Sequence, residues 1–126
     1  MHKKVISYKC ATHNKGGFIM NSQFKRGIIE LCALKVISEK DMYSFEVIDQ
    51  ISRDIEVNEN TIYPLLRRLT KQGLFETYTE TVAIGAPRKY FKITDNGRQR
   101  LESLDKEWRS FLRSVLNILD GENNEK

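Results

Sequence analysis

The 126-residue sequence predicts a mainly α-helical domain with one small antiparallel hairpin, followed by a long C-terminal helix. Three observations carry this reading. Apolar residues recur at helical spacing in three segments between Phe24 and Leu69. Two runs rich in Thr, Tyr, Phe, Val and Ile, Leu74 to Thr81 and Arg88 to Thr94, surround the basic turn Gly85-Ala86-Pro87-Arg88-Lys89. Beyond them, Leu101, Leu104, Trp108, Phe111, Val115 and Ile118 are spaced 3, 4, 3, 4, 3, a heptad seam that Leu112 and Leu119 widen on one side.

The elements follow in order. Phe24 to Ser38 forms the first helix, whose apolar residues from Ile28 to Ile37 nearly encircle it and imply burial on most sides. Lys40-Asp41 reads as a turn, and Ser44 as the cap of a second helix from Phe45 to Arg53 with Phe45, Val47, Ile48 and Ile51 inward. The third helix lies within Asn58 to Leu74, capped by Asn58 and stopped by Gly73. Pro64 inside it should remove a hydrogen bond and bend the axis. Thr94 or Asp95 starts the last helix, which runs to Asp120 before a polar tail at 121–126.

The third helix has two differently specified faces. Ile62, Leu65, Leu66 and Leu69 make an apolar stripe, while Asn60, Thr61, Tyr63, Arg67, Arg68 and Lys71 fall off it. Amides, hydroxyls and forked cations are the groups that read base edges and clamp phosphates. Such a helix followed by a basic hairpin describes a winged helix-turn-helix over residues 20–94, so the expected partner is double-stranded DNA. Arg88 and Lys89 on the wing are the candidates for minor-groove or phosphate contact. Two such helices in a two-fold dimer stand roughly 34 Å apart, which implies an inverted-repeat site.

Charge supports this locally rather than globally. The net charge of +4 comes from Lys3, Lys4, Lys9 and Lys15; from Met20 onward 17 basic residues balance 17 acidic ones. Residues 67–100 nevertheless hold eight cations against three acids, while residues 39–59 hold two cations against seven acids. That dipolar layout suits one nucleic-acid-facing side.

Residues 1–19 carry no periodicity, and reverse translation of Lys15 to Met20 permits a ribosome-binding sequence just before the Met20 codon. The expectation is a leader that is disordered or not native, with Met20 as the start; the competing reading is a basic arm touching DNA. The chain's histidines, His2 and His13, both lie in that segment, and with Cys10 they fall short of a metal site. Cys32 reads as a small buried hydrophobe. No glycine-rich phosphate loop, paired catalytic carboxylates or membrane span is present, so no enzyme activity, cofactor or metal is expected, and no membrane. The expected setting is the cytoplasm, at the nucleoid. Two alternatives are a winged helix serving protein–protein assembly and a regulator of another winged-helix family, such as the MarR type. The outward cations of the third helix speak against the first, and the short span before Phe24 against the second.

The strings T-I-Y-P-L-L-R-R-L and G-A-P-R-K-Y-F-K-I-T-D-N-G closely resemble the PadR family of bacterial transcriptional regulators, over Phe24 to Asp120. Thr61, Ile62, Tyr63, Leu66, Arg68 and Leu69 match the family's recognition helix, and Gly85, Arg88, Lys89, Tyr90, Thr94 and Gly97 its wing. Phe91 replaces a tyrosine and Ser44 a glycine of the family pattern. A single helix at residues 95–120 resembles the short subfamily, whose dimers bury that helix against the partner. The resemblance implies a repressor, a homodimer and a small-molecule effector, planar and aromatic in several members. Trp108, with Phe111 and Leu104 beside it on the seam, is the candidate ligand site at the dimer interface; its competing role is to fill the dimer core.

Overall fold

The computed structural model describes the backbone of residues 22–81 and 85–121, with side chains from residue 27 onward. Its elements are α1 (Ser22–Glu39), β1 (Met42–Tyr43), α2 (Ser44–Ser52), α3 (Glu59–Lys71), β2 (Phe75–Glu80), β3 (Arg88–Ile93) and α4 (Asp95–Asp120). The leader at 1–19, with His2, Cys10 and His13, lies outside the described residues, as does the polar tail after Gly121.

The hairpin gains a third strand that the sequence does not announce. Strand β3 is central, with β2 on one side and β1 on the other, all antiparallel. Met42 pairs with Phe91 and Tyr43 with Tyr90. This pairing corrects the expected cap of α2: Tyr43, not Ser44, is the N-cap, and its N–H donates to Glu46 Oε1 at 3.2 Å. Two strand residues carry no period, so their pairing is invisible until β3 is in place.

The core is built by α1, α2, α3 and one face of the sheet. Ile29, Ala33, Leu34 and Ile37 of α1 meet Val47 and Ile51 of α2, the whole α3 stripe, and Phe75, Phe91 and Ile93 from the strands. Phe45, expected inward on α2, is instead exposed, because at the start of the helix its ring stacks beside that of Tyr43. Burial of side chains this size contributes roughly 1.5–3 kcal/mol each. Helix α1 lies at the centre, packed on α2, β3 and α4, as its encircling apolar residues require.

Helix α3 ends in a Schellman motif. Gly73, at φ 82°, lets the Leu74 N–H return to the Leu69 carbonyl and the Gly73 N–H to that of Thr70. The same turn is stapled to the start of α4. The Thr94 hydroxyl donates to the Gly73 carbonyl at 2.7 Å and accepts from the Gly97 N–H at 3.0 Å, capping α4. A Cβ on Gly97 would collide with the Leu74 carbonyl and Ile93, so only glycine permits this approach.

Helix α4 divides its heptad seam. Leu104 is buried in the core at 8% exposure, and Leu101 and Trp108 pack against it. Past Trp108 the seam leaves the domain: Phe111 is 51% exposed, Ile118 79% and Leu119 72%. Helix α1 thus receives the first half of α4, and the second half extends beyond the domain. Among the described residues, no helix is long and apolar enough to cross a membrane.

Candidate nucleic-acid interface

The first turn of α3 is prepared by Asn58, whose Oδ1 accepts the Thr61 N–H at 3.2 Å. Thr61 therefore spends its N–H on the cap and leaves its side chain exposed, next to exposed Asn60. Pro64 stands outward within an unbroken helix; lacking an N–H, it cannot donate to the Asn60 carbonyl one turn back.

Between α3 and the wing lies an open cleft of about 450 Å³. Tyr63, Arg67 and Lys71 line it from α3, and Arg88 and Lys89 from β3, while Tyr43 joins from the cap of α2. Four cations and no carboxylate face this space. Such an arrangement attracts and orients the phosphates of a polyanion. Aromatic rings hold the wing cations in place: the Arg88 guanidinium lies 4.5 Å from the centre of the Tyr43 ring, and Lys89 Nζ 5.8 Å from that of Phe91. Behind them Tyr78, Tyr90 and Tyr43 form a row across the three strands, with neighbouring ring centres 5.6 Å apart. The row is anchored where the Tyr78 hydroxyl donates to Asp41 Oδ2 at 2.7 Å. This hydrogen bond to a carboxylate raises the Tyr78 pKa to about 12.

Arg68 is elsewhere. It leaves α3 on the flank away from the wing and lies 3.7 Å from Glu30 Oε1, beside Arg100 of α4. Of the eight residues singled out in the sequence, five meet at the cleft, Asn60 and Thr61 are exposed in the first turn of α3, and Arg68 is engaged internally. Two further residues shape this region. Tyr43 depends on the unannounced strand β1, whereas Glu30 leaves a trace, since it is a lone acid inside the apolar run of α1.

The three residues proposed for a ligand separate in the same way. Leu104 faces the domain core rather than an open surface. Trp108 lies over Gly27 of α1, where even an added Cβ would come within 3.2 Å of the indole. Phe111 meets Trp108 edge to face, ring centres 5.6 Å apart, and opens to solvent.

A family model described as the transcriptional regulator PadR-like family matches residues 33–103, from the middle of α1 into α4. An uncharacterised protein of Lysinibacillus sphaericus is 35% identical over 94 residues, covering 71% of this chain and 86% of that one. Similar solved structures include a PadR-like transcriptional regulator from Bacillus cereus, 35% identical with a TM-score of 0.72, covering 79% of this chain and 99% of the other. The smu.1704 protein of Streptococcus mutans is 33% identical with a TM-score of 0.71 over 76% and 90% of the two chains. A PadR family transcription regulator from Clostridium difficile is 30% identical with a TM-score of 0.65 over 74% and 98%. The matched span contains α3, the cleft and the wing, and on that agreement of sequence and fold the chain belongs to the PadR-like family of transcriptional regulators.

Proposed function

We propose that this DNA-binding transcriptional regulator is a repressor that reads an inverted-repeat operator as a homodimer and is released by a planar aromatic ligand. The observation that carries the DNA reading is the cleft with Arg67, Lys71, Arg88 and Lys89 around it and Tyr63 on its wall. Asn60 and Thr61, exposed at the start of α3, are the side chains best placed to enter a major groove. The wing cations then take the adjacent backbone or minor groove, where A·T-rich narrowing favours them. Arg68 contributes through its internal ion pair with Glu30, not through a base contact.

The homodimer is supported by the outer half of α4, where Phe111, Leu112, Leu116, Ile118 and Leu119 are all exposed on a helix extending past the domain. Apolar surface of this extent calls for cover. Paired α4 helices bring together two Trp108–Phe111 pairs. Each offers an aromatic face and edge to a flat ligand, with Leu104 closing the base from the core. A ligand seated there releases DNA only if it binds the two arrangements of the winged domains with different affinity.

Selection of duplexes by the full chain from a random double-stranded pool tests the reading. The expected product is an inverted repeat with half-sites about ten base pairs apart, and its insertion at a promoter lowers transcription in vitro when the protein is added. Enrichment of no sequence overturns the operator. Flat dyes and drugs should quench Trp108 emission and weaken operator binding together. Quenching without any change in operator affinity removes the ligand from regulation.

A further inference from the structure

Glu30 is the buried charged residue among those described, at 7% exposure, in the middle of α1. Its two carboxylate oxygens are divided between two other helices. Oε1 lies 3.7 Å from Arg68 Nη2 on α3, and Oε2 accepts a hydrogen bond from Arg100 Nε on α4 at 3.3 Å. A carboxylate withdrawn from water this far is strongly disfavoured unless cations compensate it. Both arginine side chains are nearly half exposed, whereas Glu30 is held in place, because Ile29, Ala33 and Leu34 fix α1 in the core.

This places one fixed anion between the helix that carries the interface and the helix that carries the exposed seam. A second tie runs in parallel, through Thr94 and the Gly73 turn. The turn staple holds the C-terminal end of α3 to the start of α4. The Glu30 clamp acts about a turn farther along each helix, so the two ties together set rotation as well as separation. Arg68 is also withheld from the surface that faces nucleic acid. Released, it would add an unplaced cation beside α3.

Building on the DNA-binding reading above, we propose that Glu30 is a positioning residue for operator discrimination. It holds Arg68 of α3 and Arg100 of α4 to one carboxylate, so that the setting of α4 fixes the angle at which α3 is presented. Glu30 touches no DNA; it acts through Arg68. A shift of α4 carries Arg100 away from Oε2 and changes the balance of charge that retains Arg68.

The test uses the full chain, a duplex selected by the wild-type protein from a random pool, and a scrambled duplex of equal length and composition. All variants are measured at a temperature where circular dichroism shows them fully folded. In Glu30→Gln the ratio of selected to scrambled affinity should fall on the order of ten-fold, as expected when two coupled elements are disconnected. The salt slope on the scrambled duplex should steepen by up to about 0.9, from one freed cation. Arg100→Met leaves the Glu30–Arg68 pair intact; it should lower the ratio without steepening that slope. The double variant should be no worse than Glu30→Gln, because both changes break one path. If Glu30→Gln fails to fold, Arg100→Met decides: a ratio within two-fold of wild type overturns the proposal. So does a folded Glu30→Gln variant with unchanged ratio and slope, which leaves the DNA reading standing. A wild-type protein that selects no duplex overturns the DNA reading, and this proposal with it.

Discussion

The Arg88 guanidinium sits 4.5 Å from the centre of the Tyr43 ring, so a wing cation is held by the residue that caps α2. Strand β1 makes this possible by pairing Tyr43 with Tyr90. A cation over an exposed ring is stabilised by about 0.5–1 kcal/mol. Tyr43→Phe should therefore keep DNA affinity, while Tyr43→Leu should lower it by about two- to five-fold. Gel-shift titration at fixed salt checks this; equal affinity for the two variants would show that the ring does not position Arg88.

Gly97 and Thr94 carry the joint between α3 and α4. Gly97→Ala drives a methyl group into the Leu74 carbonyl, a backbone neighbour that cannot swing aside. A loss of about 1–3 kcal/mol is expected from such overpacking. Thr94→Val loses the cap of α4 and the bond to Gly73, for about 1 kcal/mol or more. Urea unfolding measures both. A Gly97→Ala midpoint equal to wild type would mean that α4 can shift without strain.

Most of the fold was legible because its signals are local. The two-faced pattern of α3, the Asn58 cap, the Gly73 stop and the Thr94 start each lie within a few residues of the element they define. What escaped depends on contacts distant in the chain. Strand β1 is two residues long and exists only by pairing with β3. The burial of Leu104 depends on α1, about seventy residues earlier, offering a surface to α4. The candidate site shows the same division. Tyr63, Arg67, Lys71, Arg88 and Lys89 stand out in the sequence by their face and turn, and the fold brings them to one cleft. In the sequence Arg68 is equivalent to Arg67, since adjacent helical positions differ by about 100° and periodicity does not say which flank meets a buried acid. Glu30 supplies that answer.

Tyr78 makes the wing sensitive to high pH. Its folded pKa is raised to about 12, first by the hydrogen bond to Asp41, against about 10 for an unfolded tyrosine. A raised folded pKa favours the protonated phenol. Its stabilising effect is therefore fully present below about pH 10 and lost as pH rises through about 12. Absorbance titration should show one phenol ionising after the others, and Tyr78→Phe or Asp41→Asn should abolish that late step. A late step that survives Tyr78→Phe assigns it to another residue.

The exposed half of α4 gives a separate prediction about assembly. Ile118→Glu with Leu119→Glu should convert a dimer into a monomer, because two charges per copy would have to leave water at the seam. Neither residue belongs to the core, so the thermal midpoint of the winged domain should change little once dissociation is accounted for. Sedimentation equilibrium reads the mass directly. A dimeric double variant would place the interface elsewhere.

If DNA binds in the cleft between α3 and the wing, the cations of that cleft must set the salt dependence of binding. Each phosphate contact removed lowers the slope of log affinity against log salt by about 0.9 on duplex DNA. Arg67→Ala with Lys71→Ala and Arg88→Ala with Lys89→Ala should each reduce the slope by up to about 1.8, and the four changes together by up to about 3.6. A control pair remote from the cleft, Arg109→Ala with Arg113→Ala on α4, should leave it unchanged. The slope should fall in the cleft variants and hold in the control; a slope that drops for the α4 pair and stays constant for the cleft would put the DNA on α4 instead.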